Sequence, residues 1–441
     1  MIEKYLVKKI TEPVDWKITV PGSKSMTNRA LLMAVLSAGT VRVEGVLFSD
    51  DSRHFLACLV ALGFTVEIEE EKKCVTVTGC GGRIPRGEAV IDVGSAGTAA
   101  RFLAAMLGFS DGCYEIRCSA QMKRRPMAEL FDLLSGAGAK ITFLEEEGHL
   151  PVRITGCRYA RADKTAGETP RELSLDITKS TQFLSALLLI APMVPEGMKI
   201  HITSEKTDGS YIRITRKMMQ EFGVSVAFDG RDYEVPCRSS YRKETYMVEP
   251  DMSAACYFYA AAAVIGGRAL VRHVHMDNTQ GDLRFLEVLE HMGCTADDTP
   301  EGVLVTGPAD GALRGITVNM NDFSDQALTL AAIAPFADAP VRIEGIGHIR
   351  GQECDRIHAI QTNLTALGIR CEEEETAATI YPGSPHGGSV ETYDDHRVAM
   401  AFSLVGLRTD GIVIENPACC RKTFENYFTV LSELTGKTVE S

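Results

Sequence analysis

One pattern recurs six times along the chain and constrains its fold more than any other feature. A helix with one apolar face runs into Leu-x-x-Leu-Gly, or a close variant, and then into a short β-branched run. The copies are Ser52 to Val66, Pro126 to Ile141, Tyr211 to Val226, Asp282 to Thr295, Asp355 to Cys371 and Phe424 to Val439. Their closing glycines, Gly63, Gly138, Gly223, Gly293, Gly368 and Gly436, stand about 70–85 residues apart, a longer period than ordinary solenoids show. Each falls where a helix needs a left-handed residue after its last turn.

A second pattern is interleaved with the first. Six helices are apolar nearly all round, each followed by a turn and a strand: Ser25 to Val43, Ser95 to Ile116, Ser180 to Ile200, Met252 to Val271, Asp325 to Ile343 and His396 to Ile414. A helix apolar on every side is buried on every side. Each unit therefore holds one buried and one surface helix separated by strands, an α/β arrangement. Six units in 441 residues give about 73 residues each. Three units per domain make two domains, where length alone at roughly 150 residues per domain would suggest three. The polar stretch Tyr241 to Pro250 and the turn Thr19 to Gly22 mark the crossings. We expect an N-terminal domain over 21–245 and a C-terminal domain over 1–20 plus 246–441, with hinges near 19–22 and 243–250. The first strand, around Ile2 to Ile10, is expected to pair with the C-terminal domain.

Composition excludes several classes. Hydrophobic residues make up 45% and charged residues 24%, as in an ordinary globular core. The 59 acidic side chains outnumber 46 basic ones, for a net charge of −13, which argues against a nucleic-acid binder. The longest apolar runs, Phe183 to Pro195 and Ala254 to Gly266, have 13 residues, short of the about 20 needed to span a membrane. No apolar run follows the lysines at positions 4, 8 and 9, so no signal peptide is expected. The 13 cysteines include no C-x-x-C pair and read as reduced thiols, the adjacent Cys419 and Cys420 among them. His273 and His275 share a strand face with no third ligand nearby, a solvated face rather than a metal site. These features point to the cytoplasm.

The chemistry is concentrated where the buried helices open. The openings are Gly22-Ser-Lys-Ser-Met-Thr-Asn-Arg29, Gly94-Ser-Ala-Gly-Thr98, Lys179-Ser-Thr-Gln182, Asp251-Met-Ser253, Ser324-Asp-Gln326 and Asp394-Asp-His-Arg397. Helix N-termini present free N–H groups and a positive dipole end, which favour anions. With pseudo-symmetric packing, six such ends converge on one cleft between two domains, a preferred place for small-molecule sites. Ser25, Ser253 and Asp325 taken singly read as helix caps. Lys24, Arg29 and Arg397 do not, because cations oppose the dipole at that end unless an anion is bound. Gly94 to Thr98 is not a P-loop, since no Gly-Lys-Ser/Thr follows.

These segments resemble one family. Pro21-Gly-Ser-Lys-Ser-Met-Thr-Asn-Arg-Ala-Leu-Leu32 is similar to the N-terminal signature of the EPSP synthases, the 3-phosphoshikimate 1-carboxyvinyltransferases. Gly94-Ser-Ala-Gly-Thr-Ala-Ala-Arg101 with Arg125-Pro126 is similar to the second signature. Ser180-Thr-Gln182, Asp251, Asp325, Glu353-Cys-Asp-Arg356, Asp394-Asp-His-Arg397 and Lys422-Thr-Phe424 extend the match over nearly the whole chain, in order. The resemblance implies a two-domain inside-out α/β barrel with three βαβαββ repeats per domain. It implies that the 5-hydroxyl of shikimate 3-phosphate adds to C2 of phosphoenolpyruvate, and that a tetrahedral intermediate then expels phosphate. It implies no metal, no cofactor and these two substrates as partners; with composition excluding nucleic acid and a membrane, a monomer is expected.

By the same resemblance, Lys24, Gly97, Arg125, Gln182, Arg356, Arg397 and Lys422 hold phosphoenolpyruvate. Lys24, Ser25, Arg29, Ser180, Thr181, Gln182, Tyr211, Asp325 and Gln352 hold shikimate 3-phosphate. Asp325 takes the hydroxyl proton, while Lys24 and Glu353 are the candidates for the proton at C3. Two phosphates and two carboxylates call for several cations, and planar guanidinium forks suit them best. Read alone, Glu353, Asp355 and Arg356 are a solvated ion network, and Tyr211 is an aromatic packed on the core.

The chain departs from the family pattern at Gln352 and Cys354, where Lys and Thr are usual, and at Ser95, Phe102 and His348, usually Asn, Pro and Asn. Gln352 brings hydrogen bonds but no charge. Such changes bear on affinity, including affinity for glyphosate, which occupies the phosphoenolpyruvate site in this family. Two other readings compete. The sister enolpyruvyl transferase acting on UDP-N-acetylglucosamine has Lys-Asn where this chain has Lys24-Ser25, and carries a loop Cys with no counterpart here. A non-catalytic binder of phosphorylated metabolites is favoured only by Gln352.

Overall fold

The computed structural model describes residues 3–157, 170–308 and 312–436. Ile2 of the expected first strand and residues 437–439 of the last surface segment lie outside them. The chain divides into two compact units, residues 22–249 and residues 1–21 with 250–441. Each has its own apolar core.

In the unit 22–249, three four-stranded sheets share one topology. The strands Glu88–Asp92, Cys113–Arg117, Lys140–Phe143 and Val152–Thr155 are the clearest set. The first two pair in parallel, and the last two form a hairpin whose second strand pairs antiparallel with Cys113–Arg117. The inner helix Gly97–Gly108 makes the parallel crossover, as parallel neighbours require. The outer helix Ala128–Gly136 leads back to the hairpin. Each repeat is therefore βαβαββ. The sheet built on Arg171–Leu175 and Met198–Ile202 follows the same order.

The remaining sheet is completed from a distance. Thr40–Glu44 has its parallel neighbour in Thr245–Met247, about 200 residues further on. That strand straddles the expected boundary at 245/246, and its pairing puts residues 246–249 with the unit 22–249. The other unit uses the same device. Val14–Ile18 pairs in parallel with Gly267–Arg272, and Lys4–Leu6 pairs antiparallel with Ile412–Glu415. Lys4–Leu6 thereby fills the place that a hairpin strand takes in the other five sheets.

The two helix types separate as their sequences require. The helix Gly97–Gly108 is buried at every residue, and Lys24–Leu36 is buried from Met26 onward. Each fully buried Leu of Thr181–Ile190 contributes about 2 kcal/mol. Pro192 and Pro335 end the third and fifth inner helices in 3-10 turns, Ala191–Met193 and Ala334–Phe336, because proline cannot continue the hydrogen-bond ladder. The outer helix Ser210–Glu221 buries only Ile212, Ile214, Thr215, Met218 and Met219. The six glycines that close the outer helices all have positive φ, from 62° at Gly436 to 105° at Gly293.

His273 and His275 differ from their expected place. The strand ends at Arg272, and His273 has φ 64°, so the pair sits in the following turn, where His275 Nδ1 lies 2.8 Å from Asp298. A left-handed residue breaks the alternation that would put both rings on one face. Among the described residues, no helix is long and apolar enough to cross a membrane, and no group of three or more His, Cys, Asp or Glu is placed to hold a metal ion.

Candidate active site

Within the unit 22–249, side-chain hydrogen bonds near their openings tie the three inner helices together pairwise. Asn28 Nδ2 donates to Thr98 Oγ1 at 2.6 Å, joining the first to the second. Arg101 Nη1 donates to Gln182 Oε1 at 2.9 Å, joining the second to the third. Arg29 Nη2 donates to Ser185 Oγ at 3.4 Å, joining the first to the third.

Arg29 is fully buried and its acceptors are neutral: Thr215 Oγ1 at 2.8 Å and the carbonyls of Ser25 at 2.9 Å and Tyr211 at 3.3 Å. Its guanidinium lies over the rings of Phe102 and Tyr211, 5.2 and 5.7 Å from their centroids. Burial depresses its pKa to about 10, against smaller opposing contributions from Tyr211 and Tyr246. Phe102, where the family pattern has Pro, thus forms one wall of the Arg29 environment.

Lys24 opens its helix, and its Nζ sits 3.3 Å from Asp51 Oδ2, in the first turn of the outer helix Asp50–Ala61. Ser25 does not cap this helix. The cap position is Ser23, whose side chain makes no capping bond. At the second opening, Gly97 is tightly hemmed in. A Cβ there would lie 2.4 Å from Arg125 Nη1 and 2.6 Å from Arg101 Nη1. Two guanidinium groups therefore stand over one helix N-terminus, and Arg125 Nε is buried with no hydrogen-bond partner. Ser180 caps the third inner helix, accepting from the Gln182 N–H at 3.3 Å, and Thr181 opens it.

The other unit holds a denser group. Arg356 is 1% exposed and bonds to four side chains. Its Nε donates to Asp395 Oδ2 at 2.8 Å, its Nη2 to Glu353 Oε2 at 2.8 Å and its Nη1 to Asp325 Oδ1 at 3.1 Å. Nη1 also donates to Gln352 Oε1. Gln352 thus serves as an acceptor for a guanidinium, a role a Lys could not fill. Arg397 Nη2 donates to Asp325 Oδ2 at 2.9 Å and to Ser253 Oγ at 3.4 Å. Lys422 Nζ lies 3.3 Å from Glu353 Oε1. Three cations are interleaved with three carboxylates. Burial works against the charge on Arg356, but Asp395, Glu353 and Asp325 outweigh it and raise its pKa.

Local structure explains the placements. Asp395 caps the helix His396–Arg408 by accepting from the Arg397 N–H, which leaves its other oxygen for Arg356. Asp355 caps Arg356–Ala366 and also takes Arg350. Asp325 does not cap a helix. It lies in the 3-10 turn Ser324–Gln326 and spans Arg356 and Arg397. Ser253 does not cap either, since Asp251 does so. Cys354 donates to Asp395 Oδ2 at 3.6 Å, and His348 Nε2 lies 2.7 Å from Ser324 Oγ.

Each unit thus gathers part of the expected set. Asp325, Gln352, Glu353, Arg356, Arg397 and Lys422 form one bonded group. Asp51, Arg101, Asp395 and Asp282 join these groups without having been assigned a role from sequence, and Ser253 joins them though it read only as a helix cap. Arg101 and Asp395 carried a signal, as members of the second signature and of Asp394-Asp-His-Arg397.

This fold gathers cations and carboxylates at the openings of its inner helices, the arrangement of one class of transferase. Residues 8–431 match the family described as EPSP synthase (3-phosphoshikimate 1-carboxyvinyltransferase). The chain is 40% identical to a 3-phosphoshikimate 1-carboxyvinyltransferase of Trichormus variabilis over 97% of its length and 98% of the relative's. It is 37% identical to one of Vibrio campbellii, over 96% and 97%. Among solved structures it resembles EPSP synthase from Acinetobacter baumannii, with a TM-score of 0.79, 25% identity and coverage of 99% and 98%. The fold is also that of the enolpyruvyl transferase NikO from Streptomyces tendae, with a TM-score of 0.71 at 17% identity and coverage of 98% and 97%. The chain belongs to the EPSP synthase family.

Proposed function

We propose that the chain transfers the enolpyruvyl group of phosphoenolpyruvate to the 5-hydroxyl of shikimate 3-phosphate, in the shikimate pathway to aromatic amino acids. The observation that carries the mechanism is Asp325, a carboxylate held by Arg356 at 3.1 Å and by Arg397 at 2.9 Å. Asp325 takes the proton of the 5-hydroxyl as its oxygen bonds to C2 of phosphoenolpyruvate. C3 gains a proton from Lys24 or Glu353, giving the tetrahedral intermediate. C3 then returns a proton, the C2–phosphate oxygen bond breaks, and inorganic phosphate leaves. Arg356, Arg397, Lys422, Arg125, Lys24 and Gln182 bind phosphoenolpyruvate, with Gly97 giving its anion close access to the helix N–H groups. Ser25, Arg29, Ser180, Thr181, Gln182, Tyr211, Lys24, Asp325 and Gln352 bind shikimate 3-phosphate, Arg29 by setting the Ser25 and Tyr211 backbone from below.

The pairing of site cations with site carboxylates supports this reading. A substrate anion that takes N–H groups from Arg397 or Lys422 loosens Asp325 and Glu353 as it binds, so binding itself prepares the proton-transfer groups. The protein acts as a monomer in the cytoplasm. Each unit buries its own core, and all thirteen cysteines are free thiols, as a reducing compartment keeps them. Purified protein should release phosphate only when both substrates are present. Release supported by UDP-N-acetylglucosamine in place of shikimate 3-phosphate, or none at millimolar substrates, would overturn the assignment.

A further inference from the structure

Asp282 opens the fourth recurring segment, Asp282 to Thr295, but falls in none of the family signatures. It lies in the 3-10 turn Gly281–Arg284 and is buried. A buried carboxylate ordinarily needs a cation or several donors. Its side-chain donors are neutral: the Ser253 hydroxyl and Gln326 Nε2, the latter at 2.9 Å, both to Oδ2. Each donor leads directly to the catalytic group. Because the Ser253 proton is given to Asp282, the Ser253 lone pairs are left to accept from Arg397 Nη2, which also holds Asp325. Gln326 follows Asp325 in the chain. Its Oε1 accepts from Thr329 Oγ1 at 2.9 Å, which turns the amide N–H toward Asp282 and anchors the 3-10 turn that carries Asp325.

In the unit 22–249, direct bonds close all three ties between inner helices. In the other unit, Arg397 joins the sixth inner helix to Ser253 and Asp325 directly. The tie between Ser253 and Gln326 runs through Asp282, a residue from outside the inner helices. A neutral side chain could serve that geometry. A carboxylate there adds a negative charge close to Asp325.

We propose that Asp282 is a positioning residue for Asp325, acting through Ser253 and Gln326 and by its charge. The inference rests on the reading of Asp325 as the group that takes the hydroxyl proton. The charged and titratable groups that act on Asp282 are Asp325 from the turn before the fifth inner helix and Arg397 from the sixth, with Cys256 of the helix Met252–Ile265 beside it and Asp251, the cap of that helix, acting in turn on Cys256. Burial, and then Asp325, push the Asp282 carboxyl up to about 6, against Arg397 and the two hydrogen bonds. The repulsion is mutual, so ionised Asp282 makes Asp325 hold a proton more tightly, as a base must.

The test is the pH dependence of kcat for the wild type, Asp282→Asn, Asp282→Glu and Asp325→Asn, each checked for folding by circular dichroism. In Asp282→Asn we expect kcat to fall roughly tenfold, with KM for both substrates changed by less than about threefold. Removing the charge makes Asp325 a weaker base that ionises sooner, so the acidic limb of the profile moves to lower pH. Asp282→Glu should return the limb toward its original place. If Asp282→Asn keeps the wild-type kcat and limb, or loses kcat with the limb unmoved and no rescue by Glu, the role of Asp282 is overturned. The two readings fail separately. An active Asp325→Asn sinks the base assignment, whereas an inactive Asp325→Asn beside a wild-type-like Asp282→Asn sinks only the positioning role.

Discussion

Arg356 Nε and Asp395 Oδ2 lie 2.8 Å apart with both side chains buried, and Asp395 at the same time caps the helix that begins at His396. One carboxylate thus sets both a site arginine and the start of the helix that carries Arg397. Removing either partner of a buried pair strands the other, at about 3–5 kcal/mol. We expect Asp395→Ala to lose about that much stability in urea unfolding, with the lost cap included. Arg356→Lys, which keeps the charge but not the fork, should lower kcat/KM for phosphoenolpyruvate at least about a hundredfold.

Asp325→Asn preserves shape and removes the carboxylate that the proposed mechanism uses as its base. The expected loss in kcat is about 10²–10⁴-fold, with the larger share in kcat rather than KM. Steady-state kinetics with each substrate varied in turn will read it. A loss confined to KM would assign Asp325 to binding alone.

Gly97→Ala tests close packing at the second opening. Its methyl would fall 2.4 and 2.6 Å from two guanidinium nitrogens, inside any allowed contact. Arg125 and Arg101 must shift, so KM for phosphoenolpyruvate should rise about tenfold while kcat changes less. Equal KM values for the wild type and the variant would show that neither guanidinium position matters to that substrate.

Asp282 carries a cost in stability as well. Its folded pKa of about 6 stands above the unfolded carboxyl value, so the folded state holds a proton that the unfolded state has released. Stability from this group is full below about pH 4 and is lost as the pH rises to about 6. Asp282→Asn should therefore raise Tm at pH 7–8, by at most about 3 kcal/mol of stability, and leave it nearly unchanged at pH 4. A variant less stable than the wild type at pH 8 would contradict this. A side chain that costs stability is one retained for another reason.

Much of the fold was legible because helix ends and helix faces obey local rules. The closing glycines and the all-round apolar helices each follow from a few neighbouring residues. The ion pairs did not follow in that way. Arg356 and Asp395 are 39 positions apart, and Arg397 and Asp325 are 72 apart, so only the packed repeats bring them together. Local reading made Asp325 and Ser253 helix caps, and tertiary charge overrode it. Asp51, 3.3 Å from Lys24, had no local signal at all. Asp282 was least legible, since its meaning comes entirely from Ser253 and Gln326.

The pairing of Lys4–Leu6 with Ile412–Glu415 sets an order of events during synthesis. The unit 22–249 is one continuous stretch containing every strand of its three sheets, so it can finish folding on the ribosome. Lys4–Leu6 and Val14–Ile18 are made before it, yet their partners emerge only afterward. These two strands must wait, unpaired and partly apolar, Val14–Ile18 for about 250 residues and Lys4–Leu6 for about 400. Substitutions that raise the β-propensity or apolarity of residues 4–18 are then a hazard to the nascent chain rather than to the finished enzyme.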